Sequence, residues 1–136
     1  MKAITHNLGF PRIGQRRELK RALESHWAGR ITEAQLLAAA KSIRQENWLC
    51  QKAGGIDLIP SNDFSFYDHV LDMCALVGAV PDRFLQTGGD INLATYFAMA
   101  RGTGLSGGPA GPALEMTKWF DTNYHYLVPE LHTQQT

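Results

Sequence analysis

TEAQLLAAAKSIRQENWLCQKAGGIDLIPSND, residues 32–63, is the stretch whose reading decides the fold, because it sets a helix signal directly against a strand signal. Thr32 followed three residues later by Gln35 is the spacing of a capping box, in which each side chain serves the other's backbone N–H. Leu36, Leu37, Ala40 and Ile43 then recur at helical intervals until Gly54-Gly55 stops the element. The short apolar run Ile56-Asp57-Leu58-Ile59 meets Pro60-Ser61-Asn62-Asp63, the pattern of a strand ending in a loop. Asp63 is placed to cap the helix that follows.

Upstream, Ile4 to Leu8 reads as a short strand closed by Gly9-Phe10-Pro11. From about Gln15, the residues Leu19, Ala22, Leu23 and Trp27 fall on one helical face, and Gly29 suits the helix end. Downstream, Tyr67, Val70, Leu71 and Cys74 share the buried face of a third helix that Gly78 ends. Gly88-Gly89 marks a turn, and Leu93, Tyr96, Phe97 and Ala100 predict a shorter helix ending at Gly102. The glycine- and proline-rich run from Gly102 to Pro112 reads as a mobile loop. Met116, Lys118 and Phe120 alternate with Thr117 and Trp119 in a further strand candidate. Strands alternating with helices imply an α/β fold with a parallel sheet, either doubly wound or a barrel. The chain offers about three short strands, whereas a complete eight-stranded barrel needs roughly 250 residues.

At 136 residues the chain can bury one core, and its 44% hydrophobic and 19% charged content is that of a globular domain. Thirteen basic residues balance thirteen acidic ones, so no overall field selects a nucleic acid or an anionic membrane as partner. No apolar run reaches the length of a signal peptide or a membrane span, which makes the cytoplasm the expected location. Cys50 and Cys74 both lie in helical patterns without metal-ligand spacing and are expected as buried, reduced thiols.

Three constellations could carry chemistry. Arg16, Arg17, Lys20 and Arg21 crowd the first turns of a helix, where cations oppose the helix dipole. They build either a pocket for carboxylates or phosphates beside unpaired helix amides, or a solvated face neutralised by Glu18 and Glu24. Asn62-Asp63 and Tyr67-Asp68-His69 form a polar cluster beyond a predicted strand, which is either a ligand site or a cap with surface residues. Lys118 points either inward, where it needs an anionic partner, or to water from an edge strand. No phosphate loop, zinc-protease motif or nucleophile elbow occurs.

LGFPRIGQRRELKRALESHWAG (8–29), AGGIDLIPSNDFSFYDHVLDM (53–73) and ALEMTKWFDTNYHYLVPE (113–130) together resemble the amino-terminal region of the cobalamin-independent methionine synthases. The resemblance implies transfer of a methyl group from 5-methyltetrahydropteroyltri-L-glutamate to homocysteine, with no cobalamin. It also implies two α/β barrels placed face to face, with residues 1–136 as the opening portion of the first (β/α)8 barrel. The second, catalytic barrel, with its zinc and homocysteine sites, would lie outside this chain. Zinc there would lower the pKa of the homocysteine thiol; this chain alone would bind no cofactor and would be inactive. Arg17, Glu18, Leu19, Lys20 and Lys118 match the family's folate-substrate site and would hold the polyglutamate tail. His26 departs from an aromatic residue common at that position, which bears on packing. Exposed strand edges would favour self-association. The competing expectation is a self-contained helical interaction or anion-binding module without catalytic activity.

Overall fold

A helix begins where a side chain can replace the missing hydrogen-bond acceptor of its first turn, and Thr32 does so. Its hydroxyl accepts the Gln35 N–H at 3.2 Å, and the Gln35 side chain accepts the Thr32 N–H at 2.8 Å. The helix so capped runs Glu33–Ala53 and ends at Gly54, with Gly55 in the left-handed region. A shorter helix precedes it, Glu18–Trp27, closed by Gly29 at φ 68. These are α2 and α1; they pack on each other and bury Leu19, Leu23, Leu36, Ala40 and Ile43.

The computed structural model describes residues 3–85, 91–102 and 111–131. They fall into two compact units, residues 1–66 and 67–136. In the first, the amino-terminal segment is tied to α2 by Asn7 donating to Gln51 Oε1 at 2.8 Å and Asn47 donating to the Pro11 carbonyl at 3.3 Å. Thr5 and Asp57 bind each other through backbone and side chain, and the Leu58 N–H donates to the Thr5 carbonyl at 3.0 Å.

The strands expected over Ile4–Leu8 and Ile56–Ile59 are reduced to one parallel bridge, His6 with Leu58. Alternation makes a strand only where a neighbour takes its second edge and a layer covers its apolar side chains. Here Ile4, Leu8 and Leu58 are 71%, 96% and 60% exposed. Asp63 does not cap the next helix; it accepts the Phe10 N–H at 2.7 Å instead. Cys50 is exposed rather than buried, because the solvent side of α2 passes through it.

The second unit contains α3 (His69–Leu76), a 3-10 turn (Asp82–Phe84) and α4 (Leu93–Arg101). Two short strands follow, β1 (Met116–Lys118) and β2 (His125–Leu127). Asp68 caps α3 through the Leu71 N–H at 3.0 Å, and Gly78 follows its end at φ 72. Asn92 caps α4, which ends at Gly102. Leu71, Cys74, Val80, Phe84, Met99, Leu114 and Leu127 form the core. Burial, and then the nearby Asp68 charge, push the Cys74 thiol up. The strands pair antiparallel, with Met116 opposite Leu127, Thr117 opposite Tyr126 and Lys118 opposite His125. The sheet of the described residues is therefore an antiparallel hairpin. The expected Gly88-Gly89 turn and most of the loop after Gly102 lie outside those residues.

Arg83 joins the 3-10 turn to the segment after β2 by a two-pronged pair with Glu130, at 2.5 and 2.6 Å. The Arg83 hydrogen bonds hold the Glu130 carboxyl below its ordinary value of 4.5. A carboxyl lowered in the folded state contributes stability above its unfolded value and loses it as pH falls through the folded one. Glu130→Gln is therefore expected to flatten the acid side of the stability profile. Denaturant midpoints between about pH 7 and about pH 3 would check this, and an unchanged acid limb would refute it.

Candidate functional site

The cationic start of α1 is shaped by two left-handed residues, Gly14 at φ 82 and Arg17 at φ 62. Glycine takes that conformation freely, and a Cβ at position 14 would collide with the Glu18 carboxylate. Arginine takes it only at a cost of roughly 1–2 kcal/mol. The turn is fixed by the Arg17 N–H donating to the Gly14 carbonyl at 3.2 Å and the Leu19 N–H donating to the Ile13 carbonyl at 3.1 Å.

Glu18 folds back over this turn and accepts the Arg16 N–H at 2.9 Å and Arg16 Nε at 3.3 Å. Backbone N–H groups, its own and that of Arg16, hold its carboxyl below the ordinary value. The expected helix start at Gln15 thus moves to Glu18. The helix amides expected to be open to an anion are in large part taken: Arg16, Arg17 and Leu19 each donate within the turn. What remains for a ligand is side-chain charge.

Arg17 is exposed at the amino-terminal cap, and its guanidinium has no ion-pair partner among the described residues. Lys20 is half-exposed and lies 3.6 Å from Glu24, a solvated pair one helical turn apart. Arg21 donates to the Arg16 carbonyl. Leu19 is 1% exposed; it anchors the helix and presents no side chain to solvent. The structure thus brings Arg17, Glu18 and Lys20 to one helix start, with Leu19 beneath them. The solvated Lys20–Glu24 pair expected from spacing is present alongside the exposed Arg17.

Lys118 belongs to the second unit, where it ends β1 and is exposed. Of its two alternatives, the water-facing one holds. Phe120 leaves the expected alternation: its φ is 50, and the Trp119 carbonyl accepts the Thr122 N–H to turn the chain. Phe120 is 80% exposed beside Trp119, which meets Phe120 and Tyr126 edge-on.

The polar cluster resolves unevenly. Asn62 is exposed, and Asp63 serves the Phe10 amide. His69 is exposed with Nδ1 3.7 Å from Asp72. Asp68, by contrast, is 3% exposed and binds the Leu71 and Leu127 amides and the Tyr124 hydroxyl. Sequence reasoning placed it in the polar cluster but gave the cap to Asp63; the missed signal was an aspartate three residues before the first buried leucine of α3. Among the described residues no group of three or more His, Cys, Asp or Glu could hold a metal ion. No described helix is long and apolar enough to cross a membrane.

Comparison with known proteins adds what geometry alone does not. A 5-methyltetrahydropteroyltriglutamate–homocysteine methyltransferase of Nitrosomonas europaea is 61% identical over 130 residues, covering 96% of this chain and 16% of the relative. Proteins of the same name are 60% identical in Acidiphilium cryptum and 54% identical in Salinibacter ruber, each covering 98% of this chain and 17–18% of the relative. The chain therefore spans about a sixth of the length of the curated relatives it matches. Residues 4–136 match the family model described as cobalamin-independent synthase, N-terminal domain, and the chain belongs to that family.

Proposed function

We propose that the chain is the opening part of the first barrel of a methyltransferase that moves a methyl group from 5-methyltetrahydropteroyltri-L-glutamate to homocysteine. Its own task is to hold the donor's polyglutamate tail, through Arg17 and Lys20 at the start of α1 and through Lys118. The observation that carries this is the exposed Arg17 guanidinium on a left-handed backbone, braced by Glu18. An exposed guanidinium projecting from a strained backbone suits a chain of carboxylates, because a planar guanidinium binds a carboxylate through two parallel hydrogen bonds. Lys20 adds a mobile point charge one turn away. The parallel bridge between His6 and Leu58 supports the barrel reading, since consecutive barrel strands run parallel.

In the reaction, the homocysteine sulfur would form a bond to the methyl carbon as the bond to the folate nitrogen breaks. That nitrogen keeps the electron pair and gains a proton. Holding the tail would fix the donor's position and lower the entropic part of the barrier. The described residues do not fit the zinc that the resemblance implies. It would be held elsewhere in the longer polypeptide. The protein would work in the cytoplasm, and the isolated chain would self-associate through the exposed apolar side chains of Ile4, Leu8 and Leu58 and the strand edge beside them.

Titration calorimetry with triglutamyl and monoglutamyl methylfolate tests the proposal. The triglutamyl form is expected to bind at least about tenfold more tightly, the equivalent of one charge-assisted contact. Equal affinities would sink the tail-binding role.

A further inference from the structure

Asp68 is an aspartate with three donors converging on it, and all three join parts of the unit that carries Lys118. One carboxylate oxygen, Oδ2, accepts the Leu71 N–H at 3.0 Å, which starts α3, and the Leu127 N–H at 3.2 Å. The other, Oδ1, accepts the Tyr124 hydroxyl. The register explains why Leu127 has an amide to give. Trp119 N–H donates to the Tyr124 carbonyl and Val128 N–H to the Glu115 carbonyl, so Thr117 and Tyr126 are the mutually bonded pair. The amide of Leu127 therefore points out of the ladder, and Asp68 takes that edge of β2.

A second link runs beside the first. The Tyr96 hydroxyl accepts the Tyr67 N–H at 3.2 Å and donates to Asp72 Oδ1 at 2.6 Å, fixing the turn that carries Asp68 to α3 and α4. Tyr124 immediately precedes β2, and Lys118 stands opposite His125 in the hairpin. The lysine is thus paired with β2, and β2 is tied to the start of α3 by one buried carboxylate as well as by the buried Leu127 side chain.

We propose that Asp68, with Tyr124, is a positioning residue for the polyglutamate tail: it clamps β2 to the start of α3 and so sets where the Lys118 ammonium meets a carboxylate. The inference rests on the tail-binding reading above. A carboxylate suits this position, because it accepts from all three donors at once and two of them are backbone amides that can only donate. Asparagine has the same shape and caps a helix well, yet its NH2 group cannot accept, so the Tyr124 hydroxyl would have to turn and accept from it, a neutral bond in place of a charge-assisted one.

A double-mutant cycle tests this in the 136-residue chain: Tyr124→Phe, Lys118→Ala and the pair, each titrated with triglutamyl and monoglutamyl methylfolate, with folding checked by thermal unfolding. Alone, Tyr124→Phe is expected to lower the ratio of triglutamyl to monoglutamyl affinity about fivefold, and in the Lys118→Ala background to change it by less than about twofold. Asp68→Asn, whose cap is retained, is expected to repeat the pattern. An equal loss with and without Lys118, or no loss from either variant, overturns the positioning role and leaves the tail-binding reading standing. Equal affinity of the unaltered chain for both donors overturns that reading and this proposal together.

Discussion

Replacing Arg17 and Lys20 together by alanine is expected to lower affinity for triglutamyl methylfolate by about a hundredfold, or about 1.4 kcal/mol for each cation. The monoglutamyl donor, with fewer carboxylates, should lose far less. Both side chains are solvated, so the loss should shrink as salt rises and the screening length falls below about 8 Å. Folding separates this effect from simple damage. Lys20→Ala removes only the exposed pair with Glu24, worth about 0.3–0.5 kcal/mol. Arg17→Gly should stabilise the chain by about 1 kcal/mol, since glycine takes the left-handed conformation without penalty. Binding and stability would then move in opposite directions from one substitution. A glycine variant that is no more stable and binds the triglutamyl form as tightly as before would show that the strained arginine serves neither purpose.

Where local chemistry closes on itself, the sequence was enough. The Thr32 and Gln35 capping box, the Gly54-Gly55 stop, Gly29 after α1 and Gly102 after α4 each act within a few residues. The beginning of α1 was missed by three residues because its turn depends on Gly14, Arg17 and the Ile13 carbonyl acting together. The strands over residues 4–8 and 56–59 failed for another reason. Alternation records what a segment could bury, and His6 and Leu58 meet at one bridge without a layer over their neighbours.

The candidate site was legible as an excess of positive charge and illegible as geometry. Arg16 and Arg17 are adjacent and alike in sequence, yet Arg16 is paired with Glu18 while the neighbouring guanidinium faces solvent. Spacing offered Asp63 as the cap of the next helix, and Asp68 holds that place instead. The competition was decided over long range, by the Phe10 amide for Asp63 and by the Leu127 amide and Tyr124 hydroxyl for Asp68. Pattern within one segment cannot encode a partner some sixty positions away.

Phe84→Ala is expected to be the most damaging single change in the second unit, costing about 3–5 kcal/mol of unfolding free energy. The ring is 0% exposed although its backbone belongs to a single 3-10 turn, held by the Phe84 N–H on the Pro81 carbonyl and the Leu85 N–H on the Asp82 carbonyl. So short an element has little stability of its own and is placed by what its side chain buries. The Arg83 guanidinium lies 4.6 Å from the ring centre while its nitrogens hold Glu130, so removing the ring also loosens the platform of that pair. Glu130→Gln provides the contrast. The pair is 31% and 45% exposed, and its loss should cost no more than about 1 kcal/mol near neutrality. Urea midpoints for the two variants would separate core packing from surface charge. A Phe84→Ala midpoint as close to the parent as that of Glu130→Gln would mean that burial of the ring is not what fixes the turn.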